Sequence, residues 1–278
     1  MRLNHNMFSM SIYQHYKAEL ADGAKASRNI SSGLKINSAK DNPYKIGKNE
    51  TLKIQVLTND VASKNVQDSN SMLQTFDSSL QEVNDNLARM KELTISAGSG
   101  ALSPEDKKII QGEIDSIKKN IDELGNNTEF NGVKLSKSSE KTLNEVPTNS
   151  IKTQIGTMDD ENISIPIFDV STKNLGIDSL DVNNIDASIG AVNKAIEMVS
   201  KFRSSYGAIQ NGLEGTSDYL NSKDTCIQTA QSRIGDADIA EEMMNYSKSQ
   251  ILIQSSAALM SQSNKFPQDA LNILANIK

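Results

Sequence analysis

The stretch LQTFDSSLQEVNDNLARM, residues 73–90, decides the fold of this chain. Its large apolar residues are separated by alternating steps of three and four residues. They are Leu73, Phe76, Leu80, Val83, Leu87 and Met90. An average step of 3.5 residues is typical of a coiled-coil seam, which is narrower than the apolar face of a helix in a globular domain. The stretch therefore predicts a long helix that packs along at least one partner helix.

This helix extends well beyond the seam in both directions. Upstream, Asp41 and Asn42 are good capping residues before a helix that opens at Pro43. Downstream, the pair Ser99-Gly100 stops it. We predict one helix over 44–98, about 80 Å long at 1.5 Å per residue.

Two further seams supply its partners. Ser103 and the Pro-Glu-Asp that follows it open a helix predicted over 105–125, and the short link at 99–103 lets that helix fold back antiparallel. Its seam is Ile110, Ile114, Ile117, Ile121 and Leu124. A third seam, predicted within a helix over about 188–232, is Val199, Phe202, Tyr206, Ile209, Leu213, Thr216 and Leu220. We predict a mainly α chain in which these three helices form one elongated antiparallel bundle, a coiled-coil rod, and residues 1–135 are almost wholly helical.

The middle of the chain has a different pattern. Ile163, Ile165 and Ile167 alternate with other residues, a period of two that indicates a strand. We predict loops and short β-hairpins over 136–184, with Pro166 on a strand edge because proline cannot donate a ladder hydrogen bond.

The two ends, 1–40 and 235–278, have apolar residues at helical spacing but no core of their own. One interpretation is that the two ends pair with each other. The other is that they also bury their apolar faces against further copies of the chain. Since an isolated helix pair of this kind is marginal in water, we expect ends that are disordered in the monomer and ordered on assembly.

Composition excludes several classes of function. A net charge of -6 disfavours a nucleic-acid-binding protein. No stretch of 18 apolar residues could span a membrane, and the N-terminus has no apolar core of the kind a signal peptide needs, so composition alone favours the cytoplasm. The two histidines, His5 and His15, and the absence of catalytic or phosphate-binding motifs predict no enzyme, no cofactor and no metal site. The single cysteine, Cys226, is interpreted as a small buried helix residue, with an intermolecular bridge as the alternative.

Several strings resemble the bacterial flagellins, in the order in which that family has them. They are LNHNMFSM (3–10), ISSGLKINSAKDN (30–42), LARMKELTISAGSG (87–100), IDELGNNTEFNGVKL (121–135), IGDADIAEEM (234–243), ILIQSSAALMSQSN (251–264) and PQDALNIL (267–274). The segment 151–182 resembles the part that closes the family's inner rod domain.

The resemblance implies a structural subunit that self-assembles into the helical filament of the bacterial flagellum and serves swimming motility. It implies an inner filament-core domain made of 1–43 and 235–278, and a rod domain made of 44–135, 136–184 and 185–234, without large outer domains. The residues expected to pack in the filament core are Ile239, Met243, Ile251, Leu259, Leu271 and Leu274.

The resemblance also implies a location and partners. The subunit would be secreted through the flagellar type III export channel, without a cleavable signal peptide, to an extracellular filament. Partners would be other copies, the cap, the hook-junction proteins and an export chaperone at the C-terminal segment. An animal Toll-like receptor would contact the residues that match the family's receptor patch, Arg89, Leu93 and Glu113.

Three alternatives remain at this point. A hook–filament junction protein has the same end architecture, although TEFNG and PQDALNIL favour flagellin. A flagellin with a catalytic insert conflicts with the short middle segment. A soluble coiled-coil adaptor that never polymerises would have no use for apolar terminal helices.

Overall fold

The computed structural model describes residues 7–99, 102–135 and 149–275. Within these residues the chain forms five helices and two small antiparallel sheets. The helices are α1 (Met7–Ser32), α2 (Pro43–Ala97), α3 (Pro104–Asn127), α4 (Ile185–Gly235) and α5 (Ile239–Ala275). The strands are β1 (Glu129–Phe130), β2 (Val133–Lys134), β3 (Asn149–Gln154) and β4 (Asn162–Ile167). Residues 136–148 of the predicted loop region lie outside the described residues.

The chain divides into two compact units. One, here called the terminal unit, consists of Met1–Gln55 and Cys226–Lys278; the other, the central unit, consists of Val56–Thr225. Both boundaries fall inside helices, so α2 and α4 each contribute residues to both units. The predicted mainly α fold, with paired terminal helices and a small β-hairpin region, is confirmed.

The predicted helix ends agree with the structure. The Asn42 side chain accepts a hydrogen bond from the Lys45 amide at 3.1 Å and so caps α2. Asp41 instead accepts the Ser38 amide, and this bond holds the pKa of the Asp41 carboxyl below its usual value. At the start of α3, Ser103 and Asp106 form a reciprocal capping box.

The core of the central unit is the predicted three-helix bundle. The six seam residues of α2 between Leu73 and Met90 are each 0% exposed. They pack with seam residues of α3 and α4 in one cluster. Aromatic rings strengthen the middle of the bundle: Phe168 stacks on Phe202 with 4.2 Å between ring centroids, and Tyr206 lies 5.5 Å from Phe168. Beside them, the Asp77 carboxylate accepts a hydrogen bond from Arg203 Nε at 2.8 Å and joins α2 to α4.

The β structure is more extensive than the sequence predicted. Residues 129–134, expected within an almost wholly helical N-terminal half, form a tight hairpin with a turn at Asn131-Gly132. Both turn residues have positive φ, 49° and 79°, which is the conformation that Asn-Gly favours in two-residue hairpins. In the second hairpin Pro166 pairs with Ser150; since the sheet has two strands, each strand has an open edge, as predicted for this proline.

Helix α3 fixes the irregular segment that follows β4. The Asp122 carboxylate accepts hydrogen bonds from the Thr172 amide at 2.8 Å and from the Thr172 hydroxyl at 2.9 Å. Further along, the Gln111 side chain donates to the Leu180 carbonyl and accepts from the Val182 amide. The apolar residues of this segment are thereby held over the bundle, where Val170, Leu175 and Ile177 are buried.

Candidate self-association surface

The terminal unit is built on the pairing of α1 with α5. Ser9 Oγ lies 2.6 Å from Ser263 Oγ near one end of the pair, and Asn29 donates to Glu242 Oε1 at 2.9 Å near the other. Residue numbers that rise along α1 therefore meet falling numbers along α5, so the two helices are antiparallel. The predicted pairing of the two chain ends is confirmed.

Small and polar residues form the seam between these helices. A Cβ placed on Gly23 would lie 3.4 Å from Ser249 Cβ, which shows how closely the helices approach. Ser249 and Ser263, fourteen residues apart, are 5% and 2% exposed. Among the described residues of α1 and α5, Ile12 and Ala26 are the buried apolar ones, so the hydrophobic contribution to this pairing is smaller than that of a continuous leucine seam.

Eleven large apolar residues of α1 and α5 point to the outside of the pair. On α5, Ile251 is 66% exposed and Met244 is 68% exposed; on α1, Phe8 is 62% exposed. The outward set comprises Met7, Phe8, Met10, Tyr13, Leu20, Ile239, Met243, Met244, Ile251, Leu259 and Phe266. We call this set the outward apolar surface. A concentration of exposed large apolar side chains on two paired helices is a mark of an interaction site.

Four of the six residues predicted to pack in a filament core belong to this surface. They are Ile239, Met243, Ile251 and Leu259, with exposed fractions of 44%, 48%, 66% and 47%. Their packing in a filament stays a prediction. The side chains of Leu271 and Leu274 lie outside the described part of the structure.

A short joint sets where α5 begins relative to α1. Gly33 has a φ of 70°, which favours glycine, and its carbonyl accepts the Ala237 amide at 2.9 Å. The Lys35 amide in turn donates to the Gly235 carbonyl at 2.7 Å. Asp238 then caps α5 by accepting the Ala240 amide at 2.9 Å.

Charged side chains line a polar groove of about 450 Å³ beside the joint. Both acidic and basic residues line it, among them Glu19, Asp22, Lys25, Glu241 and Lys248. Among the residues described, no group of three or more His, Cys, Asp or Glu side chains is placed to hold a metal ion. In the same residues, no helix combines the length and apolarity needed to cross a membrane.

The prediction for Cys226 is wrong. Its thiol belongs to helix α4, as expected, but the residue is exposed rather than buried. The steps of three and four that define the α4 seam run through Leu213 and Leu220, and position 226 lies off that register. A small residue in a helix carries no signal of its own for which side it faces.

The three residues of the predicted receptor patch are close together but differ in exposure. Arg89 makes two hydrogen bonds to Glu113 Oε1, the shorter at 2.9 Å, and joins α2 to the antiparallel α3. Both side chains are solvent-accessible. Leu93, one turn along α2, is 7% exposed and belongs to the core cluster. Receptor recognition by these residues stays a prediction.

Sequence reasoning missed the seam between α1 and α5. Gly23, Ala26 and Ser249 are buried there, although none of them is a large apolar residue. The signal that could have indicated them is the recurrence of serine at 249, 256 and 263, a spacing of seven residues on one helix.

Comparisons with known proteins agree with this architecture. Residues 3–140 match the bacterial flagellin N-terminal helical region, and residues 189–274 match the bacterial flagellin C-terminal helical region. A flagellin of Bacillus subtilis is 33% identical, over 99% of this chain and 100% of its own length. A flagellar filament 33 kDa core protein of Treponema phagedenis is 32% identical over the same shares. A solved structure assigned to a flagellar hook-associated protein of Vibrio parahaemolyticus has a TM-score of 0.56 and 13% identity over 70% of this chain and 100% of its own, which shows the fold alone.

Proposed function

The chain belongs to the bacterial flagellin family, and we infer that the outward apolar surface of its terminal helices is the surface through which it polymerises. The protein is a structural subunit of the bacterial flagellar filament. Full-length similarity to flagellins and to filament core proteins disfavours the hook–filament junction alternative. The family is structural and is not known as one of enzymes.

One observation carries the proposal for the surface. Eleven large apolar side chains lie outside the α1–α5 pair, while the residues buried in these helices are mainly small or polar, with Ile12 as the large apolar exception among those described. Burying a large apolar side chain fully contributes about 1.5–3 kcal/mol. The exposed apolar side chains would therefore be stabilised by packing against other copies, and a contact that does not close on itself extends into a filament.

Seeded polymerisation tests this proposal. The purified chain is mixed with filament fragments and viewed by negative-stain electron microscopy, beside a truncation that lacks 1–40 and 235–278. We expect long filaments from the full chain and none from the truncation. A full chain that stays monomeric under all conditions would instead favour the junction-protein or adaptor hypotheses.

Point substitutions test the outward apolar surface while leaving helices α1 and α5 in place. The double variant Met243→Asp with Ile251→Asp places two charges on the surface and is expected to raise the monomer concentration needed for growth more than tenfold. Asn245→Asp with Ser255→Asp adds the same charge at two exposed polar positions of α5 and should polymerise much closer to wild type. Equal loss in both variants would mean that added charge, not lost apolar contact, is responsible.

The proposal also assigns the segments of the chain to two domains of the filament subunit. We assign 1–43 and 235–278 to an inner filament core, and 44–135, 136–184 and 185–234 to a rod around it. The cap and the hook-junction proteins would contact the ends of the filament, and an export chaperone would hold the C-terminal segment before export. The subunit would reach the extracellular filament by type III export with its N-terminus intact, which a mass measurement on sheared filaments tests.

Detection by an animal Toll-like receptor is a separate proposal. Its support is the exposed pair Arg89 and Glu113, which offers opposite charges on neighbouring helices. A cell reporter assay with soluble monomer would compare Arg89→Asp with Lys64→Asp, which also breaks an exposed ion pair on α2. We expect a loss of signal only for Arg89→Asp, and an unchanged signal would contradict the proposal.

A further inference from the structure

A loop at the tip of the β3–β4 hairpin presents an unusual combination of side chains. Met158 is 70% exposed, although it lies far from the outward apolar surface in sequence and belongs to the central unit. The three residues that follow it are acidic: Asp159, Asp160 and Glu161. We call residues 156–161 the acidic tip.

The acidic tip is held in one conformation by its own hydrogen bonds. The Met158 amide donates to Glu161 Oε2 at 3.1 Å, and the Ile155 amide donates to the Glu161 carbonyl at 2.9 Å. The Gln154 side chain donates to the Met158 carbonyl. A Cβ at Gly156 would overlap the Glu161 side chain, so a larger residue at 156 would displace it from this compact turn. A preorganised loop loses little conformational entropy when it binds.

A groove of complementary character lies on the first turns of α4. The groove has a volume of about 720 Å³. Its floor is apolar and is formed by Ala187, Gly190, Ala191 and Met198. Lys194 and Lys201 line the groove beside a single acid, Glu197, which pairs with Lys201 at 3.3 Å. We call it the α4 groove. An apolar floor beside basic groups suits a methionine flanked by carboxylates.

The acidic tip cannot reach the α4 groove of its own chain. The hairpin contacts α2 where Thr153 meets Ser69 and Gln154 meets Asn65, so its tip lies beyond Asn65. Asp77 meets Arg203 on α4, and the groove lies on the N-terminal side of Arg203. The acidic tip therefore lies beyond one end of the α2 stretch from Asn65 to Asp77, and the α4 groove lies beyond its other end. These twelve residues alone span about 18 Å.

We propose that the acidic tip of one copy docks into the α4 groove of a second copy, with Met158 on the groove floor and Asp159 and Asp160 facing Lys194 and Lys201. The acidic tip and the α4 groove lie at opposite ends of the central unit, so the contact is head-to-tail. Every pair of copies then keeps one free acidic tip and one free α4 groove. Such a heterologous contact extends into a filament when its rotation does not close a ring. The inference rests on the proposed function, since it requires that copies polymerise.

Charge reversal on full-length chains tests this contact through mixing. One variant has Lys194→Glu with Lys201→Glu; the other has Asp159→Lys with Asp160→Lys. Each variant alone opposes like charges at every contact, so we expect at least tenfold slower seeded growth at low salt. An equal mixture offers opposite charges at every contact between unlike copies and should recover growth, with copies alternating. Lys108→Glu with Lys119→Glu, on exposed positions of α3, is the matched control and should grow like wild type.

A steric variant and a cross-link make the test independent of charge. Gly190 has open space where a Cβ would lie, as has Gly215 on the same helix, so Gly190→Phe should block growth and Gly215→Phe should not. In a Cys226→Ser background, copies with Met158→Cys mixed with copies with Gly190→Cys should be joined within filaments by a short bis-maleimide. Circular dichroism confirms that each variant is folded.

The outcomes separate the inference from the function on which it rests. Filaments that form normally from each charge variant alone, or that are not restored in the mixture, overturn the docking contact while polymerisation stands. Filaments that yield no cross-link between positions 158 and 190 overturn it as well. A wild-type chain that forms no filaments contradicts the proposed function itself and removes the docking contact with it.

Discussion

The central unit and the terminal unit use the same helical architecture in opposite ways. In the central unit, large apolar residues fill the seams, and every member of the main core cluster lies between Ala62 and Leu220. In the terminal unit, Ile12 and Ala26 are the buried apolar residues among those described, and large apolar residues cover the outside of the α1–α5 pair. The central unit is stabilised by its own core, whereas the terminal unit leaves many of its large apolar side chains exposed.

Hydrogen exchange should show the largest contrast between the units. Amides in the middle of α2 should exchange only on global unfolding, which costs about 5–15 kcal/mol for typical domains, whereas those of α1 and α5 should open at little cost in the monomer. Mass spectrometry on monomer and filament measures both. We expect α1 and α5 to become protected on polymerisation, in line with ends that order on assembly. Equal protection of α1 and α2 in the monomer would break the comparison.

A matched pair of truncations gives the next largest effect. Phe76→Ala removes a ring that is 0% exposed and lies 6.3 Å from Tyr206 between centroids, and should lower the free energy of unfolding by about 3–5 kcal/mol. Ile251→Ala, at a position 66% exposed, should change it by no more than about 0.5 kcal/mol. Urea unfolding of the monomer followed by circular dichroism measures both. A large loss for Ile251→Ala would mean that the outward apolar surface is already covered in the monomer.

The hydrogen bonds of Asp122 test how the central unit holds its irregular segment. Asp122→Ala removes the acceptor for both the amide and the hydroxyl of Thr172, which is 4% exposed. The expected loss is about 1.5–3 kcal/mol, the range for hydrogen bonds to charged groups. Glu123→Ala, the neighbouring acid on α3, is the control for loss of a carboxylate. If the two variants lose the same stability, the bond to Thr172 contributes nothing specific.

Ionisation of Tyr206 should have a smaller effect on the free energy of unfolding, and this effect should appear only at high pH. Burial raises the pKa of Tyr206 well above its usual value, and the backbone of Phe168 offsets only part of this shift. Below about pH 10 the folded and unfolded states both keep the proton, so the group has no influence on stability there. Above that pH the unfolded state releases the proton first, so stability falls as pH rises.

Tyr206→Phe should remove this contribution. The wild-type free energy of unfolding should fall more steeply than that of the variant above about pH 10, by at most about 1.4 kcal/mol per pH unit. Chemical unfolding at a series of pH values measures the difference. Parallel curves would show that the Tyr206 hydroxyl is hydrated in the folded chain.

The central bundle was predictable because large apolar residues repeat without interruption along its helices. Leu73 and Leu80 indicate the face that must be buried, and the capping residues Asn42 and Ser103 indicate where two helices begin. The hairpin at Asn131-Gly132 has an equally local signal in its turn residues, but its strands of two residues each are too short to show a period of two. The face of α4 that bears Ala187, Lys194 and Lys201 follows from helical spacing alone. The groove forms only when residues 174–176 lie beside that face, and no local pattern indicates this contact.

The sequence by itself determined that the ends are helical, that they have apolar faces and that the chain resembles the flagellins. Only the tertiary structure decided which faces of α1 and α5 meet. Where a continuous leucine and isoleucine seam exists, apolar burial strongly favours one register. Gly23 and Ser249 instead allow the two helices to approach closely, and no hydrophobic pattern in the sequence indicates this contact. Because the small residues take the inner side, the side chains that a sequence pattern would assign to a core, such as Ile251, remain outside for the next copy of the chain.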